Sequence, residues 1–382
     1  MRGYFNYNSS APLEPRMRDR ILEWVDADPA LLSGARVGAS PAWLESARTT
    51  IAGGPGLEEY QIAFTSGATE SNRLALEFLY HRYMGSGLTD ASFLRNKVLI
   101  FALEHSSIYE QAKYLRNLGY DVLLIPCDPN GVADVDFIRD NAGTDTVLVS
   151  MMYASGEIGA VQPVEEVGSI CEQFGIHFHC DASQIPGKYS PSWFGSRANT
   201  ISLSGHKFGG LAGSGALLYR KQPPVALLFG EELNVRPGMP NRLGIQCMAQ
   251  AWAWTQENLS QKLASMKTLR DLFERELRSK LPGISFIGQG QNRLANTSAI
   301  LLSDVPPDRV MTHIAKNHQE VGFLCGKEGL HSPSRVLLEL GKGTYDNSTA
   351  LCISLGASTT SAEVSMLIDN LTYVLNGSNG KN

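Results

Sequence analysis

The chain has 382 residues, 43% of them hydrophobic and 19% charged, which is ordinary for a soluble globular protein and too long for one compact core, so two domains are expected. The formal net charge is −5 and no basic run occurs, which argues against a nucleic-acid partner. No uncharged apolar stretch reaches the ~18 residues of a membrane span, and the opening MRGYFNYNSSAPLEPR has no apolar core of a signal peptide.

From about residue 60 to 220, short apolar runs alternate with amphipathic stretches. YQIAF (60–64), KVLIF (97–101), DVLLI (121–125), TVLVS (146–150), GIHFH (175–179), NTISL (199–203) and SGALLY (214–219) read as strands. Their near-continuous apolar character is that of strands buried on both faces. Helix patterns lie between several of them, at 69–82, 106–118 and 163–174. This alternation predicts an α/β fold with a mostly parallel seven-stranded sheet and helices on both faces. In such sheets ligands sit outside the carboxyl ends of the strands. After the Pro/Gly-rich RPGMPNRLG (236–244) come a long helix pattern (245–280), a strand (297–302), helices near 307–316 and 333–340, a strand near 350–354 and a final helix (361–375). A large domain over 14–240 and a smaller α+β domain from 1–13 and 241–382 are expected. The six cysteines, at 127, 171, 180, 247, 325 and 352, form no CxxC pair, so reduced thiols in a cytoplasm are expected rather than disulfides or a zinc site.

The residues after each strand carry the chemistry. Ser66, Gly67, Ala68 and Thr69 open a helix, where free N–H groups and the helix dipole attract an anion. Taken alone, such a turn is also an ordinary helix cap. His105, after FALE, stands where an imidazole could stack on a flat ligand, or simply cap a helix. Asp181 ends GIHFHCD and could pair with a protonated ring nitrogen, though an acid there is also a common N-cap. Gln184 follows it. After NTISLSG come His206 and Lys207; a lysine beside a histidine and small residues has a lowered pKa and could form a Schiff base, with Ser204 and His206 near a phosphate.

In this order the array resembles class V aminotransferase-fold enzymes that use pyridoxal 5′-phosphate, the PLP-dependent transferases of fold type I (aspartate aminotransferase-like). Within them it is similar to cysteine desulfurases of the NifS/IscS type. The matching segments are YFNYNSSAPLEPRM, FTSGATESN, EHSSIYE, EIGAVQPVEEV, HCDASQIPGK, SLSGHKFGG, RLANTS, SPSRVLLELG and ISLGASTT. The resemblance implies that Lys207 holds the cofactor and moves protons. It implies that Asp181 pairs with the pyridine nitrogen and Gln184 with the ring hydroxyl. His105 would stack on the ring and assist acid–base steps, and Ala68, Thr69, Ser204 and His206 would cradle the phosphate. It also implies L-cysteine as the small amino-acid substrate, with Cys325 as the nucleophile that becomes a persulfide. A homodimer, a sulfur-acceptor protein and a place in iron–sulfur cluster assembly follow in the same way. Gly322, Gly326 and Gly329 would make the Cys325 loop flexible, and Lys327 could favour a thiolate.

Three positions depart from the family pattern. Gly156 stands where the family has asparagine, Cys352 where it has the arginine that clamps the substrate carboxylate, and Met239 where it has a threonine. Arg236, Arg242 and Arg335 are candidates to replace the missing cation. Alternatively the enzyme acts on a different amine, as a C–S lyase, aminotransferase or epimerase, or the chain is a non-catalytic scaffold.

Overall fold

The computed structural model describes residues 3–27, 42–85, 95–191, 197–220, 233, 235–290, 292–302, 305–324, 334–342 and 349–376. The chain opens with β1 (Gly3–Phe5), α1 (Met17–Ala27) and α2 (Ala42–Ala52). It continues with β2 (Tyr60–Thr65), α3 (Ala68–Gly85), β3 (Lys97–Phe101), α4 (Ser106–Tyr109), α5 (Gln111–Asn117), β4 (Asp121–Ile125), α6 (Val135–Asn141), β5 (Thr146–Ser150), α7 (Val164–Phe174), β6 (His177–Asp181) and β7 (Thr200–Ser204). A 3₁₀ turn, Gly205–Lys207, leads to β8 (Gly215–Arg220). The remaining elements are α8 (Arg242–Gln256), α9 (Leu259–Lys280), β9 (Phe286–Ile287), β10 (Thr297–Leu302), α10 (Pro307–Lys316), β11 (Gln319–Leu324), α11 (Arg335–Glu339), β12 (Thr349–Ser354) and α12 (Ser361–Asn376).

The seven strands expected between 60 and 220 form one sheet in the order β2-β8-β7-β6-β5-β3-β4. All neighbours are parallel except β8, which runs antiparallel to both β2 and β7. The central strands TVLVS and TISLS are buried at every residue, which is why they read as unbroken apolar runs. Helix α7 shows the local logic: Glu165 and Glu166 sit in its first turn, Val164, Val167 and Cys171 face the core, and Gly175 ends it in the left-handed region at φ 61°.

A second sheet, β1-β11-β12-β10-β9, packs its apolar face against α9, α10 and α12 around Phe5, Phe273, Ile300, Val310, Leu351 and Leu367. Strand β1 pairs in parallel with β11, so the N-terminal segment runs from this sheet toward the carboxyl edge of the large one. Helix α8 packs against α1 and α2, and its Ile245, Met248 and Trp252 belong to the core of the large sheet.

Some expectations need correction. The single helix expected over 245–280 is two helices, because Glu257 is extended and Asn258 takes a left-handed conformation at φ 53°, which asparagine tolerates. The helix expected over 106–118 is divided at Glu110, which stays in the right-handed helical region. Strands β1, β9 and β11 and helices α1, α2 and α6 are present beyond those the sequence patterns predict.

Candidate active site

The carboxyl ends of β2, β3, β6 and β7 and the start of β8 meet at one edge of the large sheet and line a cavity of about 540 Å³. All eight described candidates, Ala68, Thr69, His105, Asp181, Gln184, Ser204, His206 and Lys207, line it. Cys325, Gly326, Lys327 and Gly329 lie outside the described residues. Gly322 does not belong to a loop: it sits in β11, paired with Cys352 of β12.

The sheet geometry explains how the groups converge. Thr65 ends β2, and the Ser66–Gly67 turn leads into α3: the Ser66 N–H donates to Glu70 Oε2 at 2.6 Å and the Gly67 N–H to Thr65 Oγ1 at 3.4 Å, while Ala68 and Thr69 at the helix start line the cavity. A Cβ on Gly215 would lie 2.5 Å from Gly67 Cα, so only glycine lets the start of β8 close beneath that turn. The hydroxyls of Thr69 and Ser204 and the Lys207 amine make no hydrogen bond among the described residues, and Ser183 Oγ is buried without a partner. These free donors, the helix start and His206 all line the one cavity and are the groups that could hold an anion there. Burial pushes the Lys207 ammonium down from the usual lysine value, while Asp181 and Glu157 oppose the shift.

Burial also opposes the charge on Asp181. Lys207, the Ser183 N–H donating to Oδ1 at 2.9 Å and Asn72 Nδ2 donating to Oδ2 at 2.8 Å nonetheless hold its carboxyl below the usual range. His105 Nδ1 accepts from the Ser107 N–H at 3.2 Å and lies 2.8 Å from Ser107 Oγ, which fixes the ring as the cap of α4. Burial lowers the His105 pKa, with Lys207 and Arg335 acting the same way and Asp181 against them. An ionised carboxylate, an imidazole held in place, a depressed amine and a set of groups able to hold an anion in one cavity match the needs of a pyridine ring carrying a carbonyl and a phosphate.

Comparison with known proteins agrees with this geometry. Residues 36–367 match the family model described as aminotransferase class-V. The chain belongs to the class-V aminotransferase family. Its cofactor is pyridoxal phosphate, which supplies an electron sink when bound. The chain is 30% identical over 338 residues to "Cysteine desulfurase IscS" of Dictyoglomus turgidum, covering 87% of this chain and 83% of that one. It is 28% identical to the IscS of Ehrlichia chaffeensis, covering 94% and 88%. Among solved structures, a "NifS-like protein" superposes with a TM-score of 0.85 at 27% identity, covering 99% of this chain and 100% of that one. A NifS-like protein from Rickettsia africae superposes with a TM-score of 0.81 at 25% identity, covering 98% and 99%.

The far end of the cavity holds Cys352, where the family resemblance leads one to expect an arginine. Cys352 is buried, with its thiol 3.5 Å from the Gly156 carbonyl and pushed up to about 12 by burial. None of the three candidate arginines lines the cavity. Arg236 pairs with Glu70 at 3.0 Å, and Arg242 lies over the Trp43 ring. Arg335 donates to the carbonyls of Ala102 and Glu104 and stacks over Tyr109. Met239 is exposed.

Four further residues bear on the site. Asn8 lines the cavity and donates to the Gly156 carbonyl and Thr297 Oγ1, both at 2.8 Å. Glu157 lines it as an acid. Lys188, a second buried amine, donates to Gln184 Oε1 at 2.7 Å, while Gln184 Nε2 donates to the Asn8 carbonyl at 2.9 Å. Asn72 lies behind Asp181. Their only sequence signal was membership in matching segments such as FTSGATESN and HCDASQIPGK.

Proposed function

We propose that this class-V enzyme is a cysteine desulfurase: L-cysteine and the Cys325 thiol give alanine and a Cys325 persulfide, which is passed to an acceptor protein. One C–S bond breaks and one S–S bond forms, so atoms balance without an outside oxidant. The observation that carries the reading is the convergence of Lys207, Asp181, Gln184 and His105 with the helix-start cradle in one cavity. Lys207 holds the cofactor and shuttles a proton at Nζ. Asp181 keeps the ring nitrogen charged. His105 covers the ring and exchanges a proton at Nε2. Gln184 orients the ring hydroxyl, and Ala68, Thr69, Ser204 and His206 hold the phosphate. The names of the relatives support cysteine as substrate.

The proposal extends to a cytoplasmic homodimer that feeds iron–sulfur cluster assembly, and to a division of the chain into 14–240 and 1–13 with 241–382. The purified protein, given L-cysteine and a thiol reductant, is expected to release sulfide and alanine in equal amounts. Lys207→Ala and Cys325→Ala should each abolish this. Full sulfide release by Cys325→Ala would refute the persulfide route.

One observation favours a second reading. With Cys352 in place of an arginine, the far end of the cavity holds no arginine among the described residues, and Glu157 supplies a carboxyl group there rather than a cation. A carboxylate clamp contributes about 1.5–3 kcal/mol, one to two decades in affinity. The alternative is therefore a class-V enzyme acting on an amine that lacks the α-carboxylate, by C–S lyase, transamination or epimerase chemistry. A panel of amines read by cofactor absorbance separates the two.

A further inference from the structure

Asn72, on the first turns of α3, is fully buried and touches no part of the cavity. Its amide nevertheless reaches both groups that would flank the ring, Asp181 directly and His105 through Ser107. Nδ2 donates to Asp181 Oδ2 at 2.8 Å and to Ser107 Oγ at 2.9 Å, and Oδ1 lies 3.1 Å from His179 Nε2. We propose that Asn72 is a positioning residue which, through one amide, orients Asp181 and fixes the tautomer of His105. This rests on the cofactor site described above but not on the identity of the substrate.

The directions of the bonds follow from what each group can do. An ionised carboxylate only accepts, so Asn72 must turn its NH₂ toward Asp181, and its carbonyl faces His179. His179 Nε2 then has to carry a proton. Burial holds the His179 ring neutral, so its Nδ1 is bare and accepts from the Thr200 hydroxyl at 3.0 Å. The Thr200 oxygen is left to accept from His177 Nε2 at 3.1 Å. Every donor from His177 to Asn72 thus points at Asp181. On the other branch, Ser107 Oγ accepts from Asn72 and has its proton free for His105 Nδ1 at 2.8 Å. The Ser107 N–H points at the same nitrogen. The neutral His105 ring therefore carries its proton on Nε2. The titratable groups facing Asp181 are Lys207 after β7, His105 and Glu104 after β3, and His179 and Cys180 on its own strand. Asn72 is the neutral member that links two of them.

The test is nitrogen-15 NMR of the full chain with labelled histidine, loaded with cofactor and freed of it, near neutral pH. His105, His177 and His179 should all show protonated Nε2 and bare Nδ1. Asn72→Asp keeps the shape but turns an acceptor toward Asp181 and Ser107. It should raise the His105 pKa by about one unit, populate its Nδ1–H form and lower kcat at least tenfold with a smaller change in KM. Asn72→Leu, which removes both donors at similar volume, should lower kcat without adding charge. A His179 ring protonated on Nδ1 in the unsubstituted protein would overturn the proposal, because it requires the opposite amide orientation. So would a folded Asn72→Asp protein whose His105 signals are unchanged. Because the tautomers are read without substrate, failure of the desulfurase reading would leave this pattern intact.

Discussion

The amide of Gln184 fills the space that a side chain at residue 156 would need: a Cβ built on Gly156 would lie 2.4 Å from Gln184 Nε2 and 2.9 Å from its Cδ. Gln184 is itself held from both sides, by Lys188 and the Asn8 carbonyl. The family resemblance leads one to expect an asparagine at residue 156; in this chain the Gln184 amide occupies that space. Gly156→Asn is therefore expected to lower activity rather than restore a family feature, with an overpacking cost of about 1–3 kcal/mol. Steady-state kinetics and thermal unfolding check this. A gain in kcat/KM with unchanged stability would mean that Gln184 has room to move.

The described cysteines are poor nucleophiles. Burial pushes the thiols of Cys171, Cys247 and Cys352 up to about 12 and Cys127 to about 11, and Cys180 lies well above the usual value. Thiolates, not thiols, react with alkylating agents. Brief iodoacetamide treatment of the native protein at neutral pH is expected to modify Cys325 first and to stop sulfide release in step with that label. Peptide mass spectrometry locates it. Inactivation that tracks labelling of any other cysteine contradicts the assignment.

Glu104 gives a pH dependence whose sign can be worked out. Its carboxyl is buried, Oε1 accepts from Ser150 Oγ at 2.9 Å and Oε2 has no partner. Burial first, then the charge of Asp181, raises its pKa from 4.5 to about 8. The folded state thus keeps a proton that the unfolded chain releases, so this group makes stability fall as pH rises from about 4.5 to about 8. The effect is on the order of 5 kcal/mol at most, at 1.36 kcal/mol per unit. Glu104→Gln should lose that slope, so its stability relative to the unsubstituted protein should improve steadily between pH 5 and 8, as urea unfolding would show. A gap that is constant with pH would mean Glu104 ionises normally.

How far the sequence revealed this molecule depends on where each partner lies. The strands of the large sheet were readable because burial on both faces leaves an unbroken apolar run, as in TVLVS and TISLS. Once strand ends were located, Lys207, Asp181 and His105 followed from their positions just after them. Strand β1 was not readable, since three residues pair with a strand more than 300 positions away. Strand β11, QEVGFL, mixes polar and apolar residues because Gln319 and Glu320 bond outside the sheet, to Asn370 and Asn6. The break at Asn258 depends on one left-handed residue inside a continuous helical pattern. Asn72, Asn8 and Lys188 carry no local signal. Asn72 acts on a residue 109 positions away and Asn8 on one 289 away, and only the fold brings them together.

Asp181 also offers a direct test of cofactor affinity. Asp181→Asn keeps the shape and can still accept at one oxygen, but it removes the charge that would face a protonated ring nitrogen. Loss of a charge-assisted bond costs about 1.5–3 kcal/mol, so cofactor should bind one to two decades more weakly. Equilibrium titration of the cofactor-free protein, followed by absorbance, measures this. Unchanged affinity together with unchanged activity would remove Asp181 from the proposed role.

The central claim is that Lys207 carries the cofactor, and the chain contains a natural control. Lys188 is a second buried amine, its pKa lowered well below the ordinary value by burial and by Lys207 itself. It is bonded to Gln184 and Tyr7, whereas the Lys207 amine is free among the described residues and lines the cavity. Borohydride reduction of the cofactor-loaded protein, followed by digestion and mass spectrometry, should place a pyridoxyl group on Lys207 alone. Modification of Lys188 instead, or of no lysine at all, would contradict the account.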